Sequence, residues 1–261
     1  MTLPRFEHLI LKESTRHVLT LTINRPDKLN ALNTGLLQEL REAMLLVEQS
    51  DDTRVLLITG SGEKAFAAGA DIGELAQLNR KSGEELARFG QEVFNQISNC
   101  FRAVIAVING YALGGGAELA MACHIRLAGE SARIGLPETG LGLIPGFGGT
   151  QRLPWLVGLS RATEMILTGR TLSADEAKQA GLVSEVYPGE ELLPAARAMA
   201  NAIAEKGPIA IKKALEALRA AAPVEQLATE AKLFGECCET SDFREGTAAF
   251  LEKRKPVFKN E

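Results

Sequence analysis

The chain has few histidines, few cysteines and no long apolar run. Its longest uninterrupted apolar stretch, Ala103 to Ile108, is far shorter than the about 20 residues that a membrane helix needs. We therefore expect a soluble protein without a membrane partner. The three histidines, His8, His17 and His124, do not have the spacing of a zinc site or of a base beside a nucleophile. We expect no metal, and a catalytic site would depend on carboxylates and backbone amides.

The charge is nearly balanced, and this argues against a nucleic-acid partner. Lys and Arg number 29 against 33 Asp and Glu, for a net charge of −4, so no broad basic face is available to phosphate backbones. The four cysteines form no C-x-x-C pair, and the amino terminus lacks the pattern of a secretory signal. From these features we expect a cytoplasmic protein.

Up to about residue 190, short apolar runs alternate with helical patterns. This alternation predicts parallel strands joined by crossover helices, an α/β class. A turn is predicted at 24–27, and helices over 33–50, 82–100 and 117–123. The predicted strands are Val18–Ile23, Val55–Ile58, Val104–Ile108, Ile125–Ala128 and Leu182–Tyr187.

The composition changes beyond Glu190 and becomes rich in Ala, Leu, Glu and Lys. Pro194, Pro208 and Pro223 stand where helices can begin, so the pattern predicts three or four helices and no strand. We divide the chain into a core over 1–190 and a helical region over 191–261. Such a region is often an oligomerisation surface.

Glycine is concentrated in three loops, at 66–71, 109–119 and 135–153. Glycine allows unusual dihedrals and close approach of the backbone, so these loops indicate a site lined by main-chain N–H groups. The triple glycine Gly114 to Gly116 follows a buried strand and opens a helix, whose first N–H groups attract an anionic oxygen.

Glu118 and Glu138 each have an ordinary interpretation when taken alone. An acidic residue in a first helical turn stabilises the helix dipole, and a glutamate in a loop is usually solvated. A nucleotide site and a serine hydrolase fit poorly, because the chain has no G-x-G-x-x-G, no G-x-x-x-x-G-K-[ST] and no G-x-S-x-G.

Six motifs in order give the chain a resemblance to the crotonase superfamily of acyl-CoA-processing enzymes, closest to its enoyl-CoA hydratases. The motifs are TINRPDKLNAL at 22–32, AFAAGADI at 65–72, NGYALGGGAELAMAC at 109–123, GLPETGLGLIPGFGGTQRL at 135–153, LTGRTLSADEAKQAGLVSEV at 167–186 and REGTAAFLEKRKPVF at 244–258. The resemblance implies a spiral of ββα units followed by a helical region that forms homotrimers, usually paired into hexamers.

The resemblance also assigns catalytic groups. The oxyanion-hole amides match the N–H groups of Ala70 and Gly115, and the two catalytic carboxylates match Glu118 and Glu138. This implies addition of water to a trans-2-enoyl-CoA, with Glu118 activating the water, Glu138 protonating Cα, and no cofactor apart from the coenzyme A of the substrate. Two preorganised donors would stabilise the negative charge that develops on the thioester oxygen.

Contacts to the coenzyme A portion follow from the same resemblance. They are Lys28, Leu29, the 67–69 backbone (Ala67, Ala68 and Gly69), Asp71 and Ile72, with Phe250 and Lys253 reaching the coenzyme A of a neighbouring subunit. Leu136 is expected to border the acyl pocket. His124 replaces an Asp that many hydratases have, and Gly73 replaces a Lys of some relatives.

Several functions stay open at this level. Another crotonase-type reaction would use the same groups. Examples are isomerisation of the double bond and the reaction of a specialised hydratase in amino-acid or aromatic degradation. A non-catalytic RNA-associated relative would need a Lys-rich helix, and the segment 82–100 has only Arg88 among several acids. The acyl chain length and the pathway are not readable from these motifs.

Overall fold

A computed structural model describes residues 4–219 and 227–257 of the chain. The strands are β1 (Leu9–Thr15), β2 (Val18–Ile23), β3 (Val55–Gly60), β4 (Ala65–Ala68), β5 (Ala103–Ile108), β6 (Tyr111–Leu113), β7 (Ile125–Gly129), β8 (Arg133–Gly135), β9 (Thr171–Ser173) and β10 (Glu185–Tyr187). The helices are α1 (Thr34–Gln49), α2 (Ile72–Leu75), α3 (Arg80–Ser98), α4 (Gly115–Ala122), α5 (Gly149–Val157), α6 (Leu159–Thr168), α7 (Ala174–Gln179), α8 (Gly189–Ala204), α9 (Pro208–Arg219), α10 (Leu227–Cys237) and α11 (Ser241–Leu251). Short 3-10 helices lie at Pro26–Lys28 and Glu138–Leu141.

Two sheets form the framework. The larger has the order β1-β2-β3-β5-β7-β10, in which only the β1–β2 pair is antiparallel, and the smaller has the order β4-β6-β8-β9 with β9 antiparallel to β8. From β3 to β8, successive strands alternate between the two sheets, so this part of the chain winds as a spiral of ββα turns. The predicted α/β spiral is confirmed.

β5 shows why the larger sheet is apolar on both faces. Val104, Ala106 and Ile108 face the main core, whereas Ile105 and Val107 alternate with them and face a second cluster beneath α8. Because both faces are covered, the strand is an unbroken apolar run, as is typical of parallel strands. The predicted strand at this position is confirmed, one residue longer.

The predicted strands and helices before residue 130 agree with the structure within two residues at each end. Asn33 caps α1 by accepting a hydrogen bond from the Leu36 N–H, which fixes where that helix begins. The predicted strand Leu182–Tyr187 is wrong in its first half. There the N–H of Leu182 donates to the carbonyl of Ala177 and closes the end of α7, so only Glu185–Tyr187 pairs with the sheet.

β1 and the short strands of the smaller sheet are not among the sequence-based predictions. The strands β4, β6, β8 and β9 have three or four residues each, too few to show an alternating pattern. Their pairing depends on the winding of the chain, which brings together residues far apart in sequence.

Helices α8 to α11 follow residue 188. Among the described residues after 188 there is no strand, as predicted. α8 packs on the outer face of the larger sheet through Leu192, Ala196 and Ala200, so the first helix of the predicted C-terminal region covers the core of its own chain. α10 packs against α3, and α11 against the 3-10 helix Glu138–Leu141. Pro223 and Phe258 lie outside the described residues. In the described part of the chain, no helix combines the length and hydrophobicity needed to cross a bilayer.

Candidate active site

A cavity of about 570 Å³ opens where the three glycine loops meet the C-terminal helices. Most of the residues singled out in the sequence line it: Lys28, Leu29, Ala68, Gly69, Ala70, Asp71, Ile72, Gly115, Glu118, Glu138 and Phe250. Ala67, Leu136 and Lys253 do not line it. Ala67 and Leu136 are buried behind the cavity wall, and Lys253 lies in the turn after α11.

Glu118 is held by the backbone of the third glycine loop. It lies in the first turn of α4, is only 1% exposed, and its Oε1 accepts hydrogen bonds from the N–H groups of Phe147 at 2.8 Å and Gly149 at 2.7 Å. A Cβ on Gly149 would lie 2.9 Å from that oxygen, so only glycine lets the loop approach so closely. The arrangement fixes one oxygen of a buried carboxylate at the cavity.

Glu138 begins the 3-10 helix Glu138–Leu141, also lines the cavity and is 9% exposed. Its position depends on Gly114, where a Cβ would lie 2.8 Å from Glu138 Oε1. Gly114 has φ 49°, in the range that favours glycine, and its N–H donates to the carbonyl of Gly135, 2.9 Å away. One glycine therefore lets the chain enter α4 and leaves space for the second carboxylate.

The two predicted oxyanion donors both line the cavity. Gly115 is the first residue of α4, so its N–H has no intrahelical partner and lies at the positive end of the helix dipole. Ala70 faces Leu32 across a β-bridge, but the hydrogen bonds of that bridge run to the Gly69 carbonyl and from the Asp71 N–H. The amide of Ala70 takes no part in it and remains available to the cavity.

α4 is held against the smaller sheet by the third glycine of its loop. A Cβ on Gly116 would lie 1.9 Å from the carbonyl oxygen of Ala67, so no side chain fits between α4 and β4. This contact explains why Ala67 is fully buried and does not reach the cavity. It also sets the distance between the loop that carries Ala70 and the helix that carries Gly115.

The outer wall of the cavity is a loop with unusual backbone geometry. Leu29 and Asn30 have φ values of 50° and 58°, and the buried Asn30 side chain donates to the carbonyls of Ser61 and Ala65. Arg25 connects this loop to the next one by an ion pair with Asp71 at 3.0 Å. Asp71 in turn caps α2, accepting from the Gly73 N–H. The wall is thus preorganised by polar contacts.

The expected contact of Phe250 with the coenzyme A of a neighbouring subunit stays a prediction, and within its own chain Phe250 lines the cavity. The reason is the anchoring of α11: Gly246 packs on Leu141, and the buried Phe243 joins a cluster with Leu143 of the core. These contacts carry the end of α11 to the cavity mouth.

The two departures from the family pattern have different positions. Gly73 lines the cavity, whereas His124 does not. His124 Nδ1 accepts from the Val104 N–H at 3.0 Å, and its Nε2 lies 3.2 Å from the carbonyl of Ser98. The imidazole therefore connects the end of α3 to β5, which is a structural role.

Among the described residues, neither a histidine nor a cysteine lines this cavity. Among residues 4–219 and 227–257, no group of three His, Cys, Asp or Glu side chains is placed to hold a metal ion. Burial raises the pKa of the Cys123 thiol, at the end of α4, to about 12 despite the nearby Arg126 and Arg152. Such a thiol stays protonated and unreactive.

Sequence reasoning missed the residues that hold this machinery. Phe147 and Gly149, whose N–H groups donate to Glu118, lie inside the motif at 135–153. The residue types of that motif do not show which of its N–H groups point to a carboxylate. Phe234 comes from α10 and reaches the cavity through tertiary packing alone. The glycine cluster at 146–149 was the one available signal.

Comparisons with known proteins found similar sequences and similar solved structures. Residues 13–261 match the family model described as enoyl-CoA hydratase/isomerase. The chain is 42% identical to the short-chain-enoyl-CoA hydratase of Clostridium acetobutylicum, over 96% of this chain and 98% of that protein. It is 43% identical to the crotonyl-CoA hydratase of Syntrophomonas wolfei, over 97% and 98%. A crystal structure of enoyl-CoA hydratase from Bacillus anthracis superposes with a TM-score of 0.80 at 42% identity, covering 98% of this chain and 100% of that chain.

Proposed function

The chain belongs to the enoyl-CoA hydratase/isomerase family and is an enoyl-CoA hydratase, and we propose that Glu118 and Glu138 hold the water that it adds. The reaction converts a trans-2-enoyl-CoA into a 3-hydroxyacyl-CoA. The observation that carries the proposal is the meeting of two buried carboxylates and two amides, of Ala70 and Gly115, in one cavity.

The amides act on the charge that the reaction creates. When the water oxygen bonds to Cβ, the electron pair of the double bond moves toward the thioester and places negative charge on its oxygen. Donors that already point to that position stabilise the transition state more than the ground state, and one such donor is worth about 2.7–4 kcal/mol in other enzymes. The N–H groups of Ala70 and Gly115 fill this role in the proposal.

The carboxylates handle the two protons. Two N–H donors on one oxygen suit an ionised carboxylate, which only accepts, so we assign Glu118 the base that takes a proton from the attacking water. Glu138 then delivers a proton to Cα. One turnover balances in protons, because the water leaves one proton on Glu118 and Glu138 gives one to the product. The site regains its starting state when Glu118 releases its proton to water and Glu138 takes one up. These groups supply everything that hydration needs, so we propose no cofactor besides the coenzyme A of the substrate.

We assign the coenzyme A handle to the preorganised outer wall. Lys28, Leu29 and the backbone at Ala68 and Gly69 border the cavity mouth and offer one charge and several backbone groups. Gly73, where some relatives have Lys, leaves the wall with one cation fewer. A few local contacts of this kind are compatible with the net charge of −4.

The acyl chain in this proposal is short. Phe147 and Phe234 close the apolar side of the cavity, and Phe234 packs so tightly on the backbone that a Cβ on Gly146 would lie 2.6 Å from its ring. The names of the two relatives, short-chain and crotonyl, support the same preference. Hydration of crotonyl-CoA and of a ten-carbon enoyl-CoA, compared by kcat/KM, tests it.

We also infer a homotrimer, alone or as a dimer of trimers, and a cytoplasmic setting. The surface exposes large apolar side chains, including Trp155, Leu159 and Leu167, that an assembly would cover. All four cysteines are free thiols, as is usual in a reducing compartment. Sedimentation equilibrium of the purified chain measures the oligomeric state directly.

The central experiment follows the loss of the conjugated-thioester absorbance of crotonyl-CoA. We expect Glu118→Gln and Glu138→Gln each to lower kcat on the order of 100- to 10,000-fold, because each removes a proton-transfer group. Glu63→Gln, at an exposed turn, is the matched control and should behave like the parent. Parent-like hydration by either active-site variant would contradict the two-carboxylate mechanism.

A further inference from the structure

Arg152 is hydrogen-bonded to Phe147, whose N–H group donates to Glu118. Phe147 donates its N–H to Glu118 Oε1, and its carbonyl accepts a hydrogen bond from Arg152 Nη1 at 2.8 Å. Arg152 lies in the first turn of α5, the helix that begins at Gly149, the second donor to Glu118. One guanidinium therefore restrains the segment that carries both donors.

The other end of the guanidinium is attached to α3. Arg152 Nη2 donates to Asn95 Oδ1 at 2.6 Å, and one turn earlier the buried Gln91 donates its Nε2 to the carbonyl of Gly146 at 2.9 Å. Two consecutive carbonyls of the loop, at 146 and 147, are thus restrained from the same helix face. A planar fork reaches two acceptors at once, which an ammonium on a flexible stem does less well.

Packing restrains the ring of the same residue. The Phe147 ring meets Phe94 edge-on, with centroids 5.6 Å apart and planes at 87°, and a Cβ on Gly90 would lie 2.3 Å from it. The ring, the carbonyl and the N–H of Phe147 are therefore all engaged, each with a different element. A residue held in this way transmits a displacement of its carbonyl to its N–H.

From these contacts we propose that Arg152 is a positioning residue for hydration, acting through the Phe147 peptide on Glu118. The proposal rests on the proposed function, in which Glu118 handles the water. Arg152 does not line the substrate cavity, so it has no direct contact to offer the substrate. Its effect should appear in kcat, with KM nearly unchanged, because only the orientation of the base is altered.

The position allows variants that fold. Arg152 also borders a second cavity of about 440 Å³, which is lined by the C-terminal end of α4 and by α5. Shortening its side chain therefore enlarges an existing space and leaves no closed void in the core. Arg133 is a matched control, because its Nη1 also donates to a backbone carbonyl, that of Ala132 at 2.8 Å, and it lines neither cavity.

The experiment is a double-mutant cycle with crotonyl-CoA. We expect Arg152→Gln to lower kcat about 10- to 100-fold, the scale of a small misplacement of a catalytic group, and Arg152→Lys to recover part of the loss. Arg133→Gln should keep the parent kcat. In a Glu118→Gln background, Arg152→Gln should cause little further loss, because two residues that act as one unit are not additive. Thermal unfolding of each variant checks that the fold is intact.

The outcomes separate this inference from the function on which it rests. If Glu118→Gln abolishes hydration but Arg152→Gln is parent-like, the positioning role is wrong and the two-carboxylate mechanism stands. An equal loss from Arg152→Gln in both backgrounds would also overturn it, because Arg152 would then act independently of Glu118. Full activity of Glu118→Gln alone would overturn the function of Glu118 and the role of Arg152 together.

Discussion

Gly114 is the position where a single methyl group should disable both halves of the site. Its φ of 49° with ψ of −125° is a conformation that L residues rarely adopt, and an alanine there would place its Cβ 2.8 Å from Glu138 Oε1. Ordinary contact begins at 3.4 Å, so the carboxylate must retreat by about 0.6 Å. The neighbouring N–H of Gly115, at the start of α4, shifts with any relaxation of this backbone.

Gly114→Ala should affect both the folding stability and kcat. A sparsely populated backbone conformation costs about 1–3 kcal/mol in folding free energy. Because about 1 kcal/mol shifts the melting temperature of a chain of this size by about 2–4 °C, Gly114→Ala should remain folded at 25 °C. The displacement of Glu138 affects catalysis separately, and a misplacement of about 1 Å can cost about 100-fold, so we expect kcat to fall about 10- to 100-fold.

Gly62→Ala is the control that separates these parts. Gly62 has φ 74°, also in the range that favours glycine, but a Cβ there would have no atom within 4 Å. It should lose stability for the same conformational reason and keep its kcat. The assay is hydration of crotonyl-CoA beside thermal unfolding. Parent-like kcat in Gly114→Ala, or an equal loss of kcat in Gly62→Ala, would refute the steric reasoning.

Two further predictions concern the acyl pocket and the buried thiols. Phe234→Leu should raise the kcat/KM ratio of a ten-carbon enoyl-CoA to crotonyl-CoA by about tenfold, because it removes a ring that closes the cavity; an unchanged ratio would mean that another residue sets the limit. Burial raises the pKa of the Cys123 and Cys238 thiols to about 12, so both should resist alkylation at pH 8 in the native protein. With a native pKa above the unfolded value of about 8.5, each favours the native state below that pH. This contribution is lost as the pH rises from about 8.5 toward 12, so the free energy of unfolding should fall over that range. In Cys123→Ser, denaturant unfolding should show a smaller fall of the free energy of unfolding between these pH values.

Local pattern was enough to predict the parts of the site that depend on residue type. The glycine loops, the apolar run at 103–108 and the helix that begins in the triple glycine are all visible in the letters, because backbone freedom and burial periodicity are local properties. The resemblance to a family then identified Glu118 and Glu138 as candidate catalytic carboxylates. Both of them, with the amides of Ala70 and Gly115, line one cavity.

The relations between distant residues could not be predicted in this way. Glu118 meets an amide 31 residues further along, Arg25 meets Asp71 at a separation of 46, and Arg152 meets Asn95 at 57. Each of these contacts exists because the chain alternates between two sheets and brings successive turns of the spiral side by side. Hydrophobic periodicity says which face of an element is buried, but not which element covers it.

The same distinction applies to the C-terminal region. Its composition identifies helices, since helix propensity and proline placement are properties of short segments. Tertiary packing decided that α8 covers the larger sheet, that α10 supplies Phe234 to the cavity, and that α11 carries Phe250 to the mouth. The sequence determines the chemistry available to this hydratase, and the winding of the chain determines which groups act together, because contacts between distant segments form only in the folded state.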